Sequence, residues 1–122
     1  HKSAAVIAGL GSFGLHQMVI TAAGCAGRFG SVAVGAPLPT GIVGEDAISP
    51  TAARERCAYF VDGSCMECVA VCPARAIDLT TGVDKAACYR HLLSVARKFA
   101  EIGLADVCGK CAVVGPCAIL DS

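Results

Sequence analysis

The sequence predicts an α+β chain in which a partial α/β segment, residues 1–44, precedes a cysteine-rich domain, residues 45–122. Three observations support this division. Eight of the nine cysteines follow Gly44 and most of them fall in two similar loops, a pattern typical of a small metal-binding domain. Short apolar runs alternate with glycines before that point, as in short strands joined by turns. One long amphipathic pattern, over residues 85–102, predicts a single substantial helix.

The composition limits the partners of the protein. The 122 residues have room for one compact domain with an appendage. Ten basic residues balance ten acidic ones, and the pI is near 7. Because no excess of positive charge is available for phosphate groups, neither nucleic acid nor a membrane surface is an expected partner. Only 16% of the residues are charged, against about 25% in an average domain. We therefore expect an apolar-walled site or a face that docks on another domain.

The N-terminal segment contains two strand-like runs around a Gly-rich turn. Residues 18–21 and 31–34 predict short strands at the edge of a sheet. Gly9, Gly11 and Gly14 have the spacing of a dinucleotide-binding loop, but no acidic residue follows at the distance that would hold a ribose. We interpret these glycines as points of tight turning and close packing. The long uncharged stretch around them is too rich in glycine for a membrane helix.

A linker and a short helix are predicted next. Prolines and glycines cluster between residues 37 and 44, which is typical of a linker between two folded parts. Every predicted metal ligand lies beyond it, so a cut in the linker is expected to release a domain that keeps its metal. Residues 51–60 then predict a short helix that carries Cys57.

A longer helix is predicted over residues 85–102. Asp84 is a favourable N-cap for it, and Gly103 is suited to end it. His91 lies off the apolar face of this helix and is interpreted as a surface residue. The face itself repeats at steps of four and three residues and is expected to be buried. Its members are Cys88, Leu92, Val95, Phe99 and Ile102.

Two cysteine loops have similar sequences. The first has the pattern C-x2-C-x3-C-P over residues 65–73, and the second has C-x2-C-x5-C over residues 108–117. Such a duplication is typical of a two-cluster ferredoxin-like unit, in which the cysteine before the proline ligates the other cluster. A 4Fe–4S cluster needs four converging thiolates, and one tight loop supplies two of them together with backbone N–H donors. Apolar walls are expected from Val69, Val71, Ile77, Val113 and Ile119.

Two 4Fe–4S clusters need eight thiolates, and eight cysteines follow Gly44. By analogy with the crossing pattern, each cluster takes two thiolates from one loop and a third from the other loop. Cys88 is placed by its helix to complete the second set, which leaves Cys57 for the first. The predicted first set is Cys57, Cys65, Cys68 and Cys117, and the predicted second set is Cys72, Cys88, Cys108 and Cys111.

The fourth ligand of the first set has an alternative. Seven residues separate Cys57 from Cys65, whereas Asp62 stands where a closely spaced first cysteine would lie. An aspartate-ligated or three-iron cluster therefore stays open, although a soft thiolate matches the rest of the set better than a hard oxygen. Cys25, isolated among glycine and alanine, is interpreted as a buried or half-buried thiol rather than a catalytic one.

Zinc and disulfides are the other uses that cysteines at this density could have. A four-thiolate zinc ribbon could use the two C-x2-C pairs, but it would leave three further cysteines without a role. A disulfide framework fits poorly with an odd number of cysteines and two C-x2-C loops. Thiolate clusters belong to a reducing compartment, so a cytoplasmic location is expected.

Short segments outside the cysteine loops, together with those loops, resemble a known family. The chain is similar here to the C-terminal part of the epoxyqueuosine reductase-like iron–sulfur proteins, which are relatives of the reductive dehalogenases. The matching segments are residues 8–14 (AGLGSFG), 19–21 (VIT), 28–32 (RFGSV) and 36–38 (APL).

The resemblance implies a cobalamin-binding reductase domain whose last strands run into a domain with two 4Fe–4S clusters. Those clusters would pass electrons to the corrin. Residues 83–89 are similar to the family segment whose cysteine ligates the second cluster, which implies that role for Cys88. Most of the cobalamin pocket would come from sequence upstream of residue 1.

The expected function is an iron–sulfur electron-transfer module of a cobalamin-type reductase, docked on a reductase domain or a redox partner protein. A free-standing ferredoxin-like carrier and a structural zinc module are the alternatives. Whether the chain alone is an enzyme stays open, since no residue has the setting of a nucleophile or of an acid–base pair. The apolar side chains of residues 1–44 need a cover: upstream sequence, another copy of the chain, or the cysteine-rich domain.

Overall fold

The computed structural model describes residues 1–37 and 56–120. Within these ranges short helices are mixed with small antiparallel sheets, which confirms the α+β class. None of the helices in these ranges combines the length and the apolar character that crossing a bilayer requires. Residues 38–44 of the predicted linker (37–44) and residues 51–55 of the predicted helix (51–60) lie outside the described residues.

The N-terminal segment folds into a helix and a hairpin. Helix α1 (Lys2–Ile7) leads into strand β1 (Gly11–Phe13), which pairs antiparallel with strand β2 (Val19–Thr21). A Cβ atom at Gly11 would overlap the carbonyl group of Ile20, so the two strands approach closely because Gly11 has no side chain. Strand β2 confirms the first predicted strand. The close approach of the two strands confirms that Gly11 is a point of close packing.

The second strand predicted in this segment is wrong. Residues 31–34 are exposed and lie in no strand, and β2 pairs instead with the preceding strand. Val32 and Val34 expose 85% and 53% of their surface. A β-branched run forms a strand only where a partner strand and a packing face are available, and this run has neither among the described residues.

Helix α2 (Ala58–Asp62) overlaps the C-terminal part of the predicted helix. Cys57 is its N-cap, in extended conformation, so this cysteine precedes the helix instead of lying on it. The helix continues past residue 60 and ends at Gly63, whose φ of 75° lies in the left-handed region that favours glycine.

The two cysteine loops have similar local structures. Helix α3 (Glu67–Ala70) and helix α5 (Lys110–Val113) are single turns, and each begins one residue before the second cysteine of its C-x2-C pair. The two turns pack against each other. Between them in the chain lies a hairpin of strand β3 (Ile77–Asp78) and strand β4 (Gly82–Val83). The sequence duplication therefore corresponds to a duplicated loop and turn.

Helix α4 (Lys85–Lys98) begins as predicted and ends early. The Asp84 side chain accepts a hydrogen bond of 2.9 Å from the backbone N–H of Ala87, which confirms the N-cap. Beyond Lys98 the chain continues as a 3₁₀ turn, Ala100–Ile102.

The apolar face of α4 is only partly buried. Its first three members, Cys88, Leu92 and Val95, are half-buried. Phe99 and Ile102 are 38% and 74% exposed, so the prediction that they are buried is wrong. The change to a 3₁₀ turn at Phe99 interrupts the 3.6-residue period on which the prediction depended.

One hydrophobic core joins the N-terminal hairpin to the cysteine-rich part. The hairpin and the residues after it contribute Leu15, Ile20 and Cys25. The backbone N–H of Cys25 donates to the carbonyl oxygens of Cys117 and Ala118, at 2.9 and 3.1 Å. The other buried members of this core are Cys57, Cys68, Ile77 and Ala112. The cysteine-rich part therefore covers much of the apolar surface of the hairpin.

The apolar walls predicted for the cysteine loops are partly wrong. Ile77 is buried and Val69 packs against the core. Ile119, however, is 75% exposed, whereas Val113 is 67% exposed but still lines a cavity beside Cys108 and Cys111. Leu15 and Ile20 of the N-terminal hairpin provide much of the apolar packing instead, because the hairpin lies against the region where α3 and α5 meet.

Candidate metal centre

The eight cysteines predicted as metal ligands line two cavities, four in each. This division matches the crossing pattern. Cys117 follows the second C-x2-C pair in the chain but lines the cavity of the first pair, and Cys72 follows the first pair but lines the cavity of the second. Cys57, Cys65, Cys68 and Cys117 line the first cavity. Cys72, Cys88, Cys108 and Cys111 line the second cavity.

The first cavity is narrow and enclosed. Its volume is about 20 Å³, and Leu15 and His16 of the N-terminal hairpin form part of its wall. Cys57 and Cys68 are buried and the other two thiols are half-buried. Gly115 has a φ of 78°, and a Cβ atom built on it would lie 3.7 Å from Cys65 Sγ. The second loop is two residues longer than the first before its last cysteine, and Gly115 in this longer part lies close to the first cavity.

Burial and mutual repulsion disfavour charged thiolates in the first cavity. Burial, together with smaller contributions from repulsion by Cys57, Cys117 and Cys65, raises the pKa of Cys68 to about 11. Burial also raises the pKa of Cys117, as does repulsion from Cys57 and Cys65. Thiolates confined in this way favour a cation between them, since positive charge removes the repulsion.

The second cavity is wider and has a polar rim. Its volume is about 420 Å³, and all four of its thiols are half-buried. Its lining includes three exposed charged residues, Arg28, Asp106 and Lys110. His91, predicted as a surface residue, is half-buried and lines this cavity.

The second set has the same electrostatic character and a backbone donor. Burial raises the pKa of Cys111, and repulsion from Cys108, Cys72 and Cys88 contributes in the same direction. The backbone N–H of Ala76 donates to Cys72 Sγ at 3.3 Å. Backbone N–H groups directed at sulfur are a recurring feature of thiolate metal sites.

Asp62 lies apart from the first cavity. It is exposed, does not line that cavity, and its Oδ1 accepts a hydrogen bond of 2.8 Å from the backbone N–H of Ser64. Hydrogen bonds from Ser64 lower the pKa of the Asp62 carboxyl. Its carboxylate therefore has a local partner, and Cys57 lies closer to the other thiols of the set.

Cys25, the cysteine outside the two sets, and His16 lie close to Cys117 at one side of the first cavity. His16 Nε2 lies 3.4 Å from Cys25 Sγ and 3.7 Å from Cys117 Sγ, and the two sulfurs are 3.9 Å apart. His16 and Cys25 are buried, which confirms the interpretation of Cys25 as a buried thiol. These three ligand atoms are close enough to hold one metal ion.

Sequence reasoning missed the role of His16 in this group. A histidine in an uncharged stretch is a signal by itself, because a buried polar side chain needs partners. Its partners lie far away in the chain, however, and no local pattern indicates them.

The thiols that a zinc ribbon would use are separated. Cys65 and Cys68 line the first cavity, and Cys108 and Cys111 line the second. Among the described residues, the His16, Cys25 and Cys117 group is the one whose ligand atoms converge closely enough for a single ion. Two pairs that line different cavities do not form the single tetrahedral four-thiolate site that a zinc ribbon needs.

Comparison of the chain with protein-family models, with curated proteins and with solved structures finds no match.

Proposed function

We propose that this chain is an iron–sulfur electron-transfer module that holds two 4Fe–4S clusters. The observation that carries the proposal is the division of eight cysteines into two groups of four around two cavities. The groups interleave along the chain, as in a two-cluster ferredoxin-like unit. Cys68 of the first group lies on α3, and Cys72 of the second group follows the same turn.

The chemistry of both donor sets fits such clusters. Each set offers four soft thiolate ligands, which iron–sulfur clusters prefer to oxygen ligands. The second cavity has a volume of about 420 Å³, whereas the first, at about 20 Å³, would have to widen to admit a cluster of four irons. When bound, each cluster supplies a one-electron carrier. The residues of the chain hold it, limit its contact with water and direct N–H groups at its ligands.

The resemblance to the epoxyqueuosine reductase-like proteins extends this proposal. On that basis the module belongs to a cobalamin-type reductase and delivers electrons toward a corrin held by upstream sequence. The half-buried Cys88 near the start of α4 is consistent with the ligand role that the resemblance implies. A reading frame that continues upstream into a cobalamin-binding domain would support this extension. A start codon immediately before His1 would favour a free-standing carrier.

The decisive experiment for the module itself is chemical analysis of protein purified without oxygen. We expect about eight iron and about eight acid-labile sulfide ions per chain, four of each in two clusters. Protein expressed with excess zinc is the matched control, since a true cluster protein should still contain sulfide. One zinc ion per chain and no sulfide would contradict the proposal and leave a structural zinc module.

A further inference from the structure

The ring of His16 has a defined hydrogen-bond orientation. The backbone N–H of Met18 donates to His16 Nδ1 at 3.1 Å. The Nδ1 atom therefore acts as an acceptor, and the proton of the neutral ring is on Nε2. A charged ring would carry a proton on Nδ1 as well, facing the Met18 N–H, so this geometry requires the neutral form.

The surroundings of His16 favour the same neutral form. The ring is only 6% exposed, and burial without a charged partner disfavours an ionised group. The Nε2–H group therefore serves as a fixed donor directed at the two sulfurs at this side of the first cavity.

The two sulfurs differ as acceptors. Cys25 is buried and lies outside the two proposed sets, and its thiol donates a hydrogen bond to the carbonyl oxygen of Ala112 at 3.4 Å. Cys117 belongs to the first set and would be a thiolate when metal is bound. A charged sulfur accepts a hydrogen bond more strongly than a neutral thiol. The Nε2–H group is therefore expected to favour Cys117 in the loaded protein.

On the basis of the proposed first cluster, we propose that His16 is a positioning residue that donates a hydrogen bond from Nε2 to the Cys117 thiolate. This bond raises the reduction potential of the first cluster. Reduction adds negative charge to a cluster, and a donor to a ligand sulfur stabilises the more negative state. The N-terminal hairpin would thus tune a centre whose ligands all come from residues 57–117.

The same orientation argues against His16 as a metal ligand. A histidine that binds metal through Nε2 almost always donates its Nδ1–H to a carbonyl, a carboxylate or water. Here Nδ1 receives a hydrogen bond from Met18 instead. The His16, Cys25 and Cys117 group is therefore better explained as a hydrogen-bond network around one ligand than as a separate ion site.

The test compares reductive titrations of the wild-type protein with those of three variants. His16→Leu keeps an apolar side chain in the hairpin but removes the donor. His16→Gln keeps an N–H group at similar reach. His91→Leu makes the same replacement at the histidine of the second cavity and serves as the control. Iron and sulfide are measured in every sample before titration.

The wild-type protein should show two one-electron reduction steps and full iron content. In His16→Leu one step should move to lower potential, with about a tenfold change in the ratio of oxidised to reduced cluster, or about 59 mV. His16→Gln should shift that step less, and His91→Leu should leave it in place. Iron content should stay unchanged in both His16 variants.

Three results would overturn the inference while leaving the proposed clusters intact. They are an unmoved step in His16→Leu, equal shifts in His16→Leu and His16→Gln, and loss of half the iron from both His16 variants. A wild-type protein without iron and sulfide would instead contradict the proposed function itself. If His16→Leu does not fold, the alternative measurement is pulsed EPR on reduced wild-type protein that contains ¹⁵N-labelled histidine. Absence of a nitrogen coupling to either cluster would then overturn the inference.

Discussion

The two cavities are built from similar loops but have different surroundings. Each receives a C-x2-C pair from a loop that leads into a single helical turn. The first cavity is closed by buried Leu15 and His16 of the N-terminal hairpin. The second is lined by half-buried thiols and by exposed Arg28, Asp106 and Lys110. The loops therefore supply six of the eight proposed ligands, whereas the N-terminal hairpin accounts for the lower solvent access of the first centre.

This difference assigns separate roles to the two centres in the proposed function. Reduction potentials of iron–sulfur clusters depend on solvent exposure and on hydrogen bonds to sulfur. The second centre, with its wide cavity and charged rim, is the one that a redox partner can approach. The first centre is the one that the hairpin insulates and, through His16, supplies with a side-chain donor.

The largest predicted effect is the selective loss of one centre. Cys57→Ser should remove about half of the iron by breaking the first set, and Cys88→Ser should remove the other half by breaking the second. Each set needs four thiolates, and serine offers a harder and much less acidic ligand. Iron and sulfide analysis measures the loss, and EPR of the reduced protein identifies the surviving centre.

Two further variants serve as controls for that experiment. Asp62→Ala and Cys25→Ser should keep full iron content, because neither residue belongs to the proposed sets. Loss of iron from Asp62→Ala combined with full iron in Cys57→Ser would show that the fourth ligand of the first set is wrongly assigned.

The sequence indicates the parts of the candidate site that depend on local pattern. The C-x2-C spacing and the N-cap at Asp84 each depend on a few neighbouring residues, and the duplication follows from comparing two short segments. The contact between the hairpin and the first cavity is not. Cys25 and Cys117 are 92 positions apart, and only packing of the whole chain brings them together. The strand predicted at residues 31–34 failed for a related reason, since strand propensity does not reveal whether a partner exists.

The second prediction concerns the joint between the hairpin and the C-terminal segment. Gly24 has a φ of 102°, and a Cβ atom there would overlap the carbonyl group of Ala118. Gly24→Ala should therefore lower the free energy of unfolding by at least about 2 kcal/mol, from backbone strain and overpacking together. Thermal unfolding measures the loss, and the first centre should release its iron before the second as the joint opens.

Gly27→Ala is the matched control for this prediction. No atom of the described residues lies within 4 Å of the position that its Cβ would occupy, and the residue is exposed. The change should be within about 0.5 kcal/mol of the wild-type stability. Equal effects of the two substitutions would show that the hairpin does not depend on close approach at Gly24.

The third prediction compares how quickly the centres lose iron to a chelator. The second centre should lose iron severalfold faster, because its wide cavity and half-buried thiols admit a hydrophilic chelator. The first centre is protected by the hairpin and by two buried thiols. Iron release can be followed by absorbance, with EPR of partly depleted samples identifying which centre remains. Faster loss from the first centre would reverse the proposed assignment of inner and outer centres.

The last prediction concerns Cys25, the thiol that the two proposed centres leave free. Burial and the nearby Cys117 raise its pKa from 9.0 to about 12. Alkylating agents react with thiolates, so labelling of Cys25 in the folded protein should be about a thousandfold slower near pH 8 than in unfolded chain. The labelling rate should then rise about tenfold for each pH unit until the protein unfolds. Mass spectrometry after iodoacetamide treatment measures this rate, and fast labelling of folded, iron-loaded protein at pH 8 would show that the hairpin does not seal the space beside the first centre.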